Sequence, residues 1–355
     1  MVTVFGARCP ALKGRIKALV KQRPQPGAEI VEVDVPSFGP EEVLVEVKAT
    51  SICGTDVHIY DWNSWAQSRV KLPRIFGHEL AGEIVEVGKN VKNIEAGDLI
   101  SADSHIACGQ CFQCRTGQSN ICRNIKVLGV DVNGCFAEYL ALPERNAWKV
   151  PKTRPLEIAS IMDPLGNAVY ATSSTEPSGE SVAIFGCGPI GLFSTGIARL
   201  LGATSIYAID VNNFRLRLAE KMGASKVFNP KDADVLREIR EETNGNGVGV
   251  VMEMSGNAVA EAFQVLRPGG RLILFGIPPK PVELNIPEWI VFKGAQVLGI
   301  FGRKMFETWY TMEALLKSGR LDVTPVITHK MPFNELKKGM ELMKSGNCGK
   351  VVLLR

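Results

Sequence analysis

The stretch Ser181-Val182-Ala183-Ile184-Phe185-Gly186-Cys187-Gly188-Pro189-Ile190-Gly191-Leu192-Phe193 decides the fold. A short apolar run passes straight into a G-x-G-x-x-G turn, and helical spacing then carries on to about Leu201. The glycines permit a tight turn and let the backbone approach a diphosphate. Pro189 starts a helix whose first N–H groups and dipole favour an anion. Asp210 ends the next apolar run, where a carboxylate can accept hydrogen bonds from both hydroxyls of an adenosine ribose and repels a 2′-phosphate. This favours NAD over NADP, with Arg215 the one nearby guanidinium able to pair with a diphosphate or a 2′-phosphate.

Working outward, apolar runs at 181–185, 205–209, 226–228, 248–252, 271–275 and 296–299 alternate with amphipathic helical stretches. Six parallel strands in a doubly wound α/β sheet are expected. Upstream, runs such as 43–47 and 80–87 lie between Gly and Pro turns, with few helical patterns before about residue 156, which predicts a β-rich domain. Downstream come a helix over 305–318, irregular sequence, a helix over 333–344 and a last strand over 350–353. This tail is assigned back to the β-rich part. The expected division is therefore 16–170, 171–318 and 319–355, with the nucleotide domain inserted and a ligand cleft at the seam.

Size and composition fit this plan. A chain of 355 residues exceeds the size at which one core keeps growing, and 45% hydrophobic with 22% charged residues is ordinary for a globular protein. The net charge of +4 is spread among interspersed acids and bases, so no nucleic-acid partner is indicated. The exception is the acid-free start with Arg8, Lys13, Arg15, Lys17, Lys21 and Arg23, which reads either as a transit-like segment or, the reading adopted, as a plain extension over 1–15 with a first strand opening at 16–20. Residues 182–201 are apolar enough to raise a membrane helix, but Gly186, Gly188, Pro189 and Gly191 interrupt them. Without a secretory signal, the nine cysteines read as thiols and metal ligands of a cytoplasmic protein.

Cys108, Cys111, Cys114 and Cys122 follow C-x2-C-x2-C-x7-C, a spacing that lets four thiolates converge on one Zn²⁺; disulfides and an iron–sulfur cluster are the alternatives. A full tetrahedron leaves no place for substrate, so the expected role is structural. A second, open site is suggested by Cys53-Gly54-Thr55-Asp56-Val57-His58 together with Gly77-His78-Glu79. Cys9, Cys135, Cys187 and Cys348 receive no role.

Gly77-His78-Glu79, the four-cysteine loop and the Gly186–Gly191 turn, in this order, resemble the zinc-containing medium-chain dehydrogenase/reductase family over nearly the whole chain. The resemblance implies a Rossmann domain inserted in a GroES-like catalytic domain, one catalytic and one structural zinc, and a homotetramer. It implies catalytic-zinc ligands at Cys53, His78 and Glu79. Asp163 is implied near the metal, as a ligand, through water or in the proton relay. Cofactor contacts are implied at Gly186, Gly188, Ile190, Gly191, Asp210, Arg215, Phe275, Gly276, Ile277, Ile300 and Phe301; those after residue 274 lie at ends of inferred parallel strands, where such sheets bind ligands. Thr55 and His58, three residues apart beside Cys53, are candidates to pass the hydroxyl proton to solvent.

Three longer strings narrow the resemblance: Cys53 to Tyr60, Asp163-Pro164-Leu165-Gly166-Asn167-Ala168, and Met305-Phe306-Glu307-Thr308-Trp309-Tyr310, with Pro325-Val326-Ile327-Thr328-His329 in the tail. They are similar to the branch that oxidises L-threonine to L-2-amino-3-oxobutanoate with NAD⁺. Arg303 is open to three readings: a clamp for the substrate carboxylate, a partner of cofactor phosphate, or a surface residue. Tyr60, Trp62 and Trp65 either cap the cleft or cover a lobe or subunit contact. Alternatives to the threonine reading are a polyol or 2,3-butanediol dehydrogenase, a crystallin-like structural protein that would have lost the zinc ligands, and a zinc-free quinone reductase that would lack the four-cysteine loop.

Overall fold

The computed structural model describes residues 14–355. The reading of the extension, with Arg8, Cys9 and Lys13, lies outside the described residues except at Gly14 and Arg15.

The nucleotide part is a six-stranded parallel sheet. Its spatial order is Lys226–Phe228, Ser205–Ile209, Ser181–Phe185, Val248–Glu253, Leu266–Leu274, Gln296–Gly299, so in sequence terms it runs 3-2-1-4-5-6. The first strand pairs with the second and the fourth, which puts the glycine turn at the point where the order reverses, the position at which open α/β sheets bind ligands. The central strands are apolar over 182–185 and 248–252 because helices cover both faces. One boundary differs from expectation. The fifth strand begins at Leu266, because Leu266 pairs with Val248 ahead of a register shift at Val250. Pro268 and the Gly269-Gly270 pair hide this start from a periodicity reading. The apolar run 182–201 resolves into strand, turn and the Pro189–Leu200 helix, and no helix among the described residues is long and apolar enough to cross a membrane.

The β-rich part holds a seven-stranded sheet in which Glu42–Ser51 pairs antiparallel with Glu79–Val87, Tyr139–Pro143 and the final strand Lys350–Leu354. The last strand thus returns from beyond the nucleotide sheet to pair Val352 with Ser51. Arg15–Lys21, where the first strand was expected, pairs with Glu29–Asp34 and Arg74–Ile75 in a smaller sheet. Three helices escaped the sequence reading here, Gly54–Asp61, Ser64–Arg69 and the short Phe112–Arg115 within the cysteine loop. The first buries only Asp56 and Ile59, too narrow a stripe to register as a helical period.

The Met162–Ser173 helix joins the two parts, burying Met162, Leu165, Ala168 and Val169 in a cluster that also holds Ala49 and Ala81 of the β-rich sheet and Leu192, Phe193 and Trp309 of the nucleotide side. Fully burying each large apolar side chain contributes about 1.5–3 kcal/mol, so this shared core makes the seam a packed interface. Tyr60 and Trp62 pack onto the β-rich core. Lys21 anchors this corner by donating to the carbonyls of Gln25, Gly27 and Tyr60 beneath the Trp62 ring. These two aromatics therefore cover the lobe, while Trp65 stays exposed beside His58.

Candidate active site and metal centres

Cys53 caps the Gly54–Asp61 helix, and Asp56 in its first turn accepts from the Cys53 N–H at 2.9 Å. The other Asp56 oxygen lies 3.3 Å from His78 Nδ1, at the mouth of the Glu79–Val87 strand. That contact leaves Nε2 as the nitrogen free to bind a cation. Potential ligand atoms of Cys53, His78 and Glu79 lie within 4.8 Å of one another, with His78 and Glu79 buried. A half-buried thiol converging with a buried imidazole and carboxylate fits a catalytic zinc with an open position. His78 Nδ1 and Asp56 Oδ1 are buried with no aligned partner elsewhere, so each is left to the other, the carboxylate–histidine arrangement that orients a metal-binding ring.

Glu79 has partners that the sequence did not suggest. Ser51 Oγ and Lys350 Nζ both donate to its Oε2, and Lys350 also donates to the carbonyl of Ile52 at 3.2 Å. Burial alone would push the Lys350 ammonium down, but Glu79 beside it holds it above the usual range.

Potential ligand atoms of Cys108, Cys111, Cys114 and Cys122 also lie within 4.8 Å of each other. The Cys111 sulfur is 3.5 Å from that of Cys114 and 3.8 Å from that of Cys122. Tetrahedral Zn–S bonds of about 2.3 Å place sulfurs about 3.8 Å apart, so the loop fits zinc and does not fit disulfides. The backbone N–H groups of Gln110 and Cys111 bring the Cys108 thiol down to about 6, whereas desolvation pushes Cys122 up to about 11. Binding a cation must expel the remaining protons, so retention of metal weakens in acid.

In the nucleotide part, Gly188 caps the Pro189–Leu200 helix, with open space where a side chain would stand. A Cβ at Gly191 would overlap the Gly186 carbonyl, so the turn admits only glycine there. Asp210 accepts from the N–H of Cys187 at 2.7 Å and of Asn212 at 2.8 Å, which fixes its carboxylate between the glycine turn and the following helix. Phe275 and Gly276 both donate to the Glu253 carbonyl just past the fifth strand, Ile277 is 83% exposed and Phe301 is exposed, as expected of a rim that contacts a ligand. Arg215 lies in the first turn of the Asn213–Lys221 helix that follows Asp210, with its Nε buried and unpaired. These residues could hold a dinucleotide.

Arg303 overturns all three of its readings. Its exposure is 0%, and its guanidinium forks onto Asp103 through Nε (2.9 Å) and Nη2 (2.8 Å) and onto Asp163 through Nη1 (3.1 Å) and Nη2, while also reaching Asn167 and Ser104. Every donor is committed to protein, so none is left for a substrate carboxylate or a phosphate. Trp309 Nε1 adds a 2.7 Å bond to Asp103. Asp163 is held by this fork and by the Ser104 N–H, apart from the Cys53–His78–Glu79 group. Burial pushes Asp163 up, against the pull of Arg303. Thr55 is half-buried, and His58 is exposed with Asn63 Nδ2 3.0 Å from its Nδ1.

His105 was also missed. The ring is buried 5.3 Å from Phe301, Nδ1 lacks a partner, and burial, then Arg303, push its pKa from 6.5 down to about 4. The unfolded chain therefore takes up a proton first on acidification. The neutral ring stabilises the fold fully above pH 6.5 and progressively less as pH falls toward 4. Wild type is expected to lose about 2 kcal/mol more stability between about pH 7 and pH 5 than His105→Gln, read from urea midpoints. Parallel losses would assign the acid sensitivity elsewhere.

Two family models cover most of the chain, the alcohol dehydrogenase GroES-like domain over residues 39–152 and the zinc-binding dehydrogenase domain over 189–318. The chain belongs to the zinc-binding alcohol dehydrogenase family. Within this family of oxidoreductases acting on CH–OH groups, L-threonine 3-dehydrogenase of Caldanaerobacter subterraneus is 50% identical over 345 residues, covering 96% of this chain and 99% of that protein. Among solved structures, a zinc-binding dehydrogenase of Sinorhizobium meliloti bound to NADP superposes with a TM-score of 0.89 at 30% identity, covering 96% and 100% of the two chains. The 2R,3R-butanediol dehydrogenase of Bacillus subtilis gives 0.86 at 30% identity, covering 96% and 99%. The family's zinc chemistry and its Rossmann and GroES-like folds are thus those of this chain.

Proposed function

We propose that this protein oxidises the secondary hydroxyl of L-threonine to L-2-amino-3-oxobutanoate with NAD⁺. The observation that carries the reading is 50% identity over 345 residues to an L-threonine 3-dehydrogenase, against 30% for the butanediol enzyme, with a complete Cys53–His78–Glu79 group. The retained ligands speak against a crystallin-like structural protein, and the four-cysteine loop against a zinc-free quinone reductase. NAD is preferred to NADP because Asp210 presents a carboxylate where a 2′-phosphate would lie.

Cys53, His78 and Glu79 would hold the catalytic zinc, and Cys108, Cys111, Cys114 and Cys122 the structural one. Gly186, Gly188, Ile190, Gly191, Asp210, Arg215, Phe275, Gly276, Ile277, Ile300 and Phe301 would hold the coenzyme. When bound, zinc supplies a Lewis acid that lowers the pKa of a substrate hydroxyl, and NAD⁺ supplies the hydride acceptor. Asp56 orients the His78 ring. Thr55 and His58 carry the hydroxyl proton out of the cleft, since they climb one turn of the Gly54–Asp61 helix from the half-buried Cys53 to solvent. Asp163 acts as a positioning group under the control of Arg303.

The domain limits we adopt are 16–170, 171–318 and 319–355, supported by the pairing of Lys350–Leu354 with Glu42–Ser51. Free thiols in ligand arrays favour the cytoplasm. Assembly as a homotetramer is supported by the exposed edge strand Gln296–Gly299 beside Val291 and Phe292, an apolar edge that soluble proteins ordinarily cover.

The test is NADH formation with L-threonine, sorbitol and 2,3-butanediol, with and without a zinc chelator. Threonine-selective, chelator-sensitive turnover is expected; turnover on sorbitol or 2,3-butanediol alone would replace the substrate, and none on any would remove the enzymatic reading. His58→Asn is expected to lower kcat by about 10²-fold at neutral pH with threonine KM nearly unchanged. Unchanged kcat would take His58 out of the relay.

A further inference from the structure

We propose that Asn212 is a positioning residue that keeps the adenosine end of the coenzyme site in register with the Lys350–Glu79 pair at the metal site. This rests on the coenzyme reading above. Asn212 follows Asp210 by two residues and donates its backbone N–H to that carboxylate. Its side chain does two things at once. Oδ1 accepts from the Phe214 N–H at 2.8 Å and so caps the Asn213–Lys221 helix, while Nδ2 donates to the carbonyl of Gly346 at 3.0 Å. Gly346 belongs to the returning C-terminal segment, where it ends the Leu336–Ser345 helix in the left-handed region at φ 73°. A Cβ on Gly346 would come within 3.2 Å of the Asn212 amide and 3.8 Å of the Arg215 guanidinium. The contact therefore has little slack.

Lys350 follows Gly346 by four residues, about 13 Å of extended chain. The intervening path is stiff. Cys348 is fully buried, and the Gly349 N–H donates to Thr328 Oγ1 at 3.0 Å against a backbone that leaves no room for a side chain. At its end the buried Lys350 ammonium grips Glu79 and the carbonyl of Ile52, the residue before Cys53. The same returning helix also holds the Gly54–Asp61 helix, through Lys344 and Asp61 at 3.1 Å. A shift of the Asp210–Asn212 turn is thus passed to both Glu79 and the helix that Cys53 caps. Close packing transmits such shifts because well-filled interiors deform little.

Asn212→Ser and Asn212→Asp both keep a capping acceptor but lose the donor to Gly346. The probe is ADP-ribose, which carries the adenosine and diphosphate but lacks the nicotinamide ring that would face the metal. It is added to enzyme with Co²⁺ at the Cys53–His78–Glu79 site and zinc on the four cysteines. In wild type, bound ADP-ribose is expected to shift the visible cobalt bands. The two variants are expected to bind ADP-ribose within about threefold of wild type by calorimetry while losing most of the shift. If wild type binds ADP-ribose with its cobalt bands unmoved, or if the variants shift as wild type does, the proposal fails. Absence of ADP-ribose binding by wild type would instead sink the coenzyme reading. The wild-type arm needs no substitution, so a variant that folds poorly does not protect the idea.

Discussion

Replacing Arg303 with methionine is expected to destabilise the fold by about 3–5 kcal/mol, a large part of the stability of an ordinary domain. The guanidinium has 0% exposure and faces Asp103 and Asp163, both buried. Its removal strands two carboxylates in a medium that solvates them poorly, and the neutral donors that remain, Trp309 Nε1 and the His105 N–H on Asp103 and the Ser104 N–H on Asp163, cannot balance two charges. Most of the cost lies in those orphaned charges. Adding Asp103→Asn and Asp163→Asn to Arg303→Met should therefore recover a good part of the loss, whereas a loss that merely reflected missing packing would stay. Arg303→Lys is expected to fall between, since an ammonium keeps the charge but cannot fork onto two carboxylates. Urea unfolding of the four proteins separates these cases.

Cys53→Ala is expected to lower kcat/KM for threonine by on the order of 10³-fold or more while leaving the chain folded. Cys53 is half-buried at a helix cap and contributes little to the core. Metal content should fall from two zinc ions per chain to one, because Cys108, Cys111, Cys114 and Cys122 form a separate, self-contained group. Retention of two ions with activity intact would remove Cys53 from the ligand set. Cys122→Ser is the converse variant. It opens the structural group at its most buried thiol, and the expected loss is one of thermal stability before any loss of kcat.

The coenzyme and metal regions also differ in how much of them local sequence encodes. The glycine turn, Asp210 and the four-cysteine loop each gather their working atoms from within a few residues, or from adjacent strands whose pairing follows from the parallel pattern. Cys53 and His78 were legible because each stands in its own motif. Asp56 stood in the quoted string without a role, although a carboxylate in the first turn of a helix, three residues after its cap, is a known preference and points to the helix itself.

By itself the sequence determined the six-stranded doubly wound sheet, the β-rich character of the part before it and the four-thiol group. All of these rest on short-range rules: the period of apolar residues, the conformations glycine permits, and the few ångströms each residue can span. Only the tertiary structure decided that Arg303 pairs with Asp103 across 200 residues, that Lys350 reaches Glu79 across 271, and that Asn212 touches Gly346 across 134. Such partners share no motif or spacing. A lone charged residue reads as exposed because burying it unpaired is costly, and the partner that makes burial tolerable comes from the packing of distant elements.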